Sequence, residues 1–175
     1  TVPTVTYVGN LGIAQNLGTL FRAAEQMPEV RFNVVGDGAQ APDLLRFVHE
    51  RRLENVAMLG KLPWDELLAV YATSSCLYAQ LTRGFETAVP SKLYEYLSTG
   101  LPVVYGGEGA AVDFLSGFDN VAVVPPDDSD ALVRAVRDLA SDERTIAEAN
   151  RRRIRDYWIR EQALRRIERM LENGS

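Results

Sequence analysis

The chain has one cysteine and one histidine in 175 residues, and these scarcities remove several kinds of chemistry. Cys76 has no partner for an internal disulfide; it stands in CLYAQL, which reads as a buried strand where cysteine behaves as a small hydrophobe. His49 lies in a polar stretch of a predicted helix and cannot by itself supply a histidine-based triad or a multi-histidine metal site. No stretch reaches the roughly 18 apolar residues that a bilayer-spanning helix needs, and the opening TVPTVTYVG lacks the basic flank and apolar run of a signal peptide. A cytoplasmic protein is expected, with at most a peripheral contact at the inner face of the membrane. The dinucleotide fingerprint GxGxxG is also missing. Gly9-x-x-Gly12 and Gly36-x-Gly38 have other spacings, and Gly107-x-Gly109 is followed by Val112 where the third glycine would fall. NAD binding loses its main support.

What is present is the composition of an ordinary folded chain, 46% hydrophobic and 25% charged. The net charge of −5 is unevenly placed: residues 1 to 143 hold 10 basic and 19 acidic side chains, and residues 144 to 172 hold 9 arginines against 5 acids. An acidic body argues against nucleic acid as a partner, since duplex binding neutralises phosphates over a broad basic surface.

Six short runs, at 4–9, 31–36, 55–60, 76–81, 102–106 and 120–124, are strand-length and largely apolar on both faces, as strands of a covered parallel sheet must be. Helical patterns alternate with them. Leu17, Leu20, Phe21, Ala24 and Met27 form one apolar stripe, and comparable helices fit 40–53, 64–73, 91–99, 109–117 and 128–140. This alternation predicts an α/β fold: a doubly wound, six-stranded, mostly parallel Rossmann-like sheet with helices on both faces. One Rossmann-like domain is expected over residues 1–142. The remainder, 143–175, reads as a C-terminal helical extension with Tyr157 and Trp158 as a bulky pair and a stripe of Leu164, Ile167 and Leu171. It needs a surface to pack on, either this domain, an absent one or an anionic membrane.

In open α/β sheets ligands bind outside the carboxyl ends of the strands, so the loops after the strands hold the candidates. Gly9, Asn10 and Gly12 form a glycine-bearing turn that can bring backbone N–H groups to a diphosphate or sugar. Gly36 and Asp37 begin a second turn, and Lys61 with Leu62 a third whose backbone could bracket a base. The richest segment is RGFETAVPSKLYEYLSTG, residues 83–100. There Ser91 is expected to cap a helix whose uncovered N–H groups, beside Lys92, attract phosphate. Glu95 would face the same cleft and accept hydrogen bonds from vicinal ribose hydroxyls. Glu86 lies before the helix, where a donor sugar would sit, and Arg83 is a further cation.

The succession GN.G, VGDG, NV..LG, P.DEL and FE.AVPSKLYEYLSTGLPVV resembles the C-terminal domain of family 4 (group 1) glycosyltransferases of the GT-B fold, most nearly the branch that builds bacterial surface polysaccharides, including N-acetylfucosamine-type transferases. The resemblance implies a retaining transfer from a nucleoside-diphosphate sugar, UDP by family habit, without a required metal or cofactor, to a glycan or lipid-linked acceptor. It also implies an N-terminal acceptor domain that this chain lacks, and so a fragment that binds nucleotide weakly and is inactive alone. Glu95 matches the family's ribose-binding glutamate; Glu86, one residue out of register with its paired glutamate, is the candidate sugar ligand, and Lys92 stabilises the leaving diphosphate. The arginine and lysine that the family commonly places in the first loop are replaced by Asn10 and Gln15, so the phosphate charge is expected to fall to Arg83, Lys92 and the helix terminus. A non-catalytic nucleotide or sugar-phosphate binding module, or a GT-B nucleotide-sugar epimerase, is the alternative reading.

Overall fold

The computed structural model describes residues 2–140 and 146–172, with side chains as far as residue 139 and from 146 to 162. Six strands, β1 (Thr4–Val8), β2 (Arg31–Val35), β3 (Val56–Gly60), β4 (Cys76–Gln80), β5 (Val103–Gly106) and β6 (Val121–Val124), form one sheet in the order β3-β2-β1-β4-β5-β6. Every pairing is parallel. The strands are those expected from sequence, each within a residue at its ends. The connecting helices are α1 (Gly18–Glu25), α2 (Ala41–Glu50), α3 (Trp64–Thr73), α4 (Ser91–Thr99), α5 (Ala110–Leu115) and α6 (Ser129–Ala140).

Alternation along the strands divides the core into two layers. Val5, Tyr7, Phe32, Val34, Tyr78 and Val104 point to one face, where Leu20, Phe21, Leu132 and Val136 of α1 and α6 cover them. Leu77, Ala79, Val103 and Tyr105 point to the other, beneath Tyr71 of α3, Leu93, Tyr96 and Leu97 of α4, and Leu115 of α5. Strand order reverses between β1 and β4, so their following loops diverge to opposite faces and leave a crevice at their carboxyl ends.

Two local features differ from expectation. The first helix begins at Gly18, and a short 3₁₀ turn, Ile13–Gln15, precedes it and ends at Asn16 in the left-handed region at φ 37, a conformation asparagine tolerates better than other side chains. Ser91 does not cap α4: Pro90, extended at φ −60 and ψ 130, holds that position, Ser91 is the first helical residue, and no side-chain cap bond forms. Proline's fixed φ and the extended chain before it set the helix start one residue earlier than the serine suggests. Gly100, left-handed at φ 71, ends α4 as expected.

The last helix, α7 (Glu148–Glu172), packs on α4 and on the segment that follows α5. Ile154 is buried in the second layer. The Arg151 guanidinium donates through Nε (2.9 Å) and a terminal nitrogen (2.7 Å) to the Thr99 carbonyl at the end of α4. Asn150 exchanges both amide atoms with the Asp119 backbone. Tyr157 and Trp158 stack about Tyr94 with centroid distances of 5.3 and 6.4 Å. The boundary expected at residues 142 and 143 lies outside the described residues, as do the side chains of Leu164, Ile167 and Leu171.

Candidate functional site

The crevice between β1 and β4 opens into a pocket of about 1010 Å³. Its walls include Gly9, Asn10 and Gln15 from the loop after β1, Ser91, Lys92 and Glu95 from the first turns of α4, and Arg151, Arg155 and Trp158 from α7.

Lys92 reaches back over the end of β1. Its ammonium lies 4.0 Å from the centre of the Tyr7 ring and donates to the Tyr7 hydroxyl, which in turn donates to the Asn10 carbonyl at 2.6 Å. Gly9 makes this possible, because a Cβ there would fall 2.5 Å from Lys92 Nζ. Burial lowers the Lys92 pKa to about 8, against the pull of the Glu95 carboxylate. An arriving anion would restore the full charge. The helix start leaves the α4 amides without a side-chain cap, so Lys92 and the amino end of α4 offer positive charge to the same pocket.

Glu95, one turn into α4, accepts a hydrogen bond from the Tyr71 hydroxyl of α3 at 2.6 Å. That contact fixes one oxygen of the carboxylate and leaves the other for a ligand hydroxyl. Burial, then the hydrogen bond and charge of Glu95, push the Tyr71 hydroxyl far above its ordinary value, so it remains a donor.

Gly36 and Asp37 serve the wall of the first loop. A Cβ on Gly36 would lie 1.8 Å from the Gly9 carbonyl oxygen, and Gly9 N–H donates to Val35 O at 2.9 Å. Asp37 accepts from the Gly38 amide at 2.8 Å and lies 3.6 Å from the exposed Lys61 ammonium. Lys61 and Leu62 follow β3, which β2 and β1 separate from β4 in the sheet, and do not line the pocket with Lys92. Gly12 sits between the Asn10 and Gln15 side chains, which a Cβ would meet at 2.5 and 2.8 Å.

Arg83 and Glu86 are held elsewhere. They border a small separate cavity with Phe85, Tyr105 and Glu108. Glu86 accepts from the Gly84 amide at 2.8 Å, Arg83 lies 3.8 Å from Glu108, and the Glu86 carbonyl accepts from Ala110 N–H. The structure thus gathers Gly9, Asn10, Ser91, Lys92 and Glu95 and separates Arg83 and Glu86 from them. Burial raises the Cys76 thiol to about 12, and the residue is an inert part of the core. His49 is exposed on α2.

Tyr7, Tyr71, Arg151 and Arg155 were not singled out from sequence. Tyr7 and Tyr71 read as core residues by their apolar surroundings, and their hydroxyl partners lie 85 and 24 residues away. Among the described residues no three His, Cys, Asp or Glu side chains meet as metal ligands, and no helix there is long and apolar enough to cross a membrane.

Residues 2–142 match the family model described as glycosyl transferases group 1. The chain is 28% identical over 150 residues to the sulfoquinovosyl transferase SQD2 of Arabidopsis thaliana, an alignment covering 82% of this chain and 28% of that protein. Its fold matches sucrose-phosphate synthase from Thermosynechococcus elongatus with a TM-score of 0.81 at 22% identity, over 99% of this chain and 46% of the other. It matches HepE of Anabaena, solved in complex with UDP and glucose, with a TM-score of 0.76 at 20% identity, over 94% and 48%. The chain therefore spans between about a quarter and a half of the length of these relatives.

Proposed function

The chain belongs to the group 1 glycosyl transferases, and we propose that it is the donor-binding half of a retaining enzyme that moves a hexose from a UDP-sugar to a glycan or lipid-linked acceptor. One observation carries this reading: the amino end of α4, Lys92 and Glu95 share one pocket at the strand-order reversal. That set suits a diphosphate at the helix terminus and a ribose at the carboxylate. HepE, a structural neighbour, is solved with UDP and glucose, which favours uridine as the base.

In the proposed reaction the bond between the sugar's anomeric carbon and the diphosphate oxygen breaks, and the diphosphate leaves with the electron pair. The acceptor hydroxyl forms the new bond on the same face and gives its proton to the departing phosphate. The Lys92 ammonium and the α4 amides stabilise the growing negative charge without a metal. Glu86 must leave the Gly84 amide to reach a sugar hydroxyl, so its role as the sugar ligand requires the 83–88 loop to move. The acceptor is assigned to an N-terminal half outside this chain, with α7 and its exposed Trp158 and Ile159 as the contact. The proposed setting is the cytoplasm, at the inner face of the membrane, in surface-polysaccharide synthesis; UDP-N-acetylfucosamine belongs with UDP-glucose among the first donors to test.

Titration calorimetry with UDP, GDP and ADP tests the reading. UDP should bind best and lose affinity in Glu95→Ala. A chain that takes up no nucleoside diphosphate, or binds only free sugar, returns the module reading. The isolated chain should show no transfer.

A further inference from the structure

Residues 83–87 stand exposed between two anchors. Before them, Thr82 donates its amide to Ala14 O (2.8 Å) and its hydroxyl to Asp127 (2.6 Å); after them, Val89 packs against the second layer of the core. Within the loop, Gly84 N–H donates to the Glu86 carboxylate and Ala88 N–H to Phe85 O (2.9 Å). Among the described residues, the loop is tied to the body of the chain by Ala110 N–H donating to Glu86 O (2.7 Å) and by the Arg83–Glu108 pair. That pair is exposed, so it holds weakly. Gly84 lies at φ 98, where a Cβ would meet nothing within 4 Å, and open space beside a glycine leaves the chain free to turn there.

Under the loop lies Tyr105, fully buried in β5, with a hydroxyl that has no hydrogen-bond partner among the described residues. The other buried tyrosines are all bonded: Tyr7 to Asn10 O, Tyr71 to Glu95, Tyr78 to Gln80 and Tyr96 to Val8 O. Burial raises the Tyr105 pKa to about 12, so the hydroxyl keeps its proton to donate. The cavity beside it is walled by Thr82, Arg83, Phe85, Glu86, Glu108 and Pro126 and has no room for a water molecule. Leu81 lines both this cavity and the Lys92 pocket, which makes the two neighbours. A buried hydroxyl without a bond bears its full desolvation cost, and each such group in a folded chain calls for a reason.

We propose that Tyr105 is a positioning residue for the loop that carries Glu86: its bare hydroxyl destabilises the lowered loop and so favours a raised one, in which Glu86 is free for the donor sugar. Arg83, Phe85 and Glu86 are the loop's own walls of the cavity, and when they lift, water reaches the hydroxyl. Lifting also gives up the bond from Ala110 to Glu86 O. One neutral hydrogen bond is lost and one hydroxyl is satisfied, and these are effects of similar size. The loop is therefore close to balance, and a ligand that touches only its raised position can tip it. The donor sugar is that ligand, because Glu86 reaches it only from there. The inference rests on the donor-binding reading above and adds the residue that sets how readily the loop rises.

Hydrogen exchange and calorimetry on the 175-residue chain test it. Tyr105→Phe keeps the ring and removes the hydroxyl, which favours the lowered loop. Without ligand, amide exchange in residues 83–88 and at Ala110 should slow about five-fold relative to the amides of α2. UDP-glucose affinity should fall by about the same factor, while UDP, with no sugar to meet Glu86, should bind as it does to the parent. A merely structural hydroxyl would change the melting temperature alone. Loop exchange equal to the parent in Tyr105→Phe overturns the positioning role. Slowed exchange with an unchanged ratio of UDP-glucose to UDP affinity overturns the link to the donor sugar. A parent chain that binds neither nucleotide overturns the donor-binding reading itself, whatever the exchange shows.

Discussion

The Lys92 ammonium lies over the Tyr7 ring at 4.0 Å from its centre while bonded to the Tyr7 hydroxyl, so the cation of α4 is anchored to the last turn of chain in β1. This links the two elements that border the crevice, and it holds a partly desolvated charge where an anion is expected.

That charge has a pH signature. The Lys92 pKa is lowered by burial from 10.5 to about 8, so between pH 8 and 10.5 the unfolded chain binds a proton that the folded chain does not, and stability rises with pH across that window. Below pH 8 both states are protonated and the gain is absent. The full effect is on the order of 3 kcal/mol. Urea unfolding at pH 7.5 and 9.5 should show the stability of the parent rising relative to that of Lys92→Met, since the other titrating groups, such as the Cys76 thiol, are common to both. Nucleotide affinity should run the opposite way, full below pH 8 and declining above it, because a bound diphosphate favours the protonated lysine.

The hydrogen bond from Tyr71 to Glu95, 2.6 Å long, makes α3 the orienting support of the carboxylate. Glu95→Ala should weaken UDP binding by about 1 to 3 kcal/mol, the range for hydrogen bonds to a charged group. Tyr71→Phe should cost about 1 kcal/mol of binding by leaving the carboxylate free to turn. Equal affinities for the parent and Glu95→Ala in calorimetry would remove the residue from the site.

Two glycines with positive φ should respond very differently to alanine. At Gly36 the new Cβ would meet the Gly9 carbonyl oxygen at 1.8 Å, and at Gly60 it would meet nothing within 4 Å. Gly60→Ala carries only the left-handed penalty of roughly 1 to 2 kcal/mol. Gly36→Ala must also push β1 and β2 apart and should cost about 3 kcal/mol or more. Thermal unfolding by circular dichroism separates the two.

The Tyr105 hydroxyl is buried and has no hydrogen-bond partner among the described residues; it lies beside Gly107, whose Cβ would meet it at 2.5 Å. Tyr105→Phe keeps the ring and removes the unsatisfied oxygen, and should stabilise the chain by about 1 kcal/mol. For a chain of this size that corresponds to roughly 2 to 4 °C in melting temperature. A lower melting temperature would show that the hydroxyl has a partner in solution.

The sequence by itself determined the elements and their order. Apolar runs of strand length separated by 3.6-periodic stripes leave few solutions other than a covered parallel sheet, so all six strands were legible from residues such as Val5, Phe32 and Val103. The segment from Pro90 to Gly100 was legible too, because a proline start, a lysine, an acid one turn in and a terminal glycine are all local signals.

Only the tertiary structure decided which side chains share a pocket. Arg83 and Glu86 are nearer in sequence to Lys92 than Tyr7 is, yet the loop turns them toward Glu108 and Ala110, and a residue of β1 becomes the partner of the lysine. Gln15, Gln80 and Asp127 meet across 47 and 65 residues. Such contacts depend on strand order and loop direction, and no period or local spacing in a chain encodes either of those.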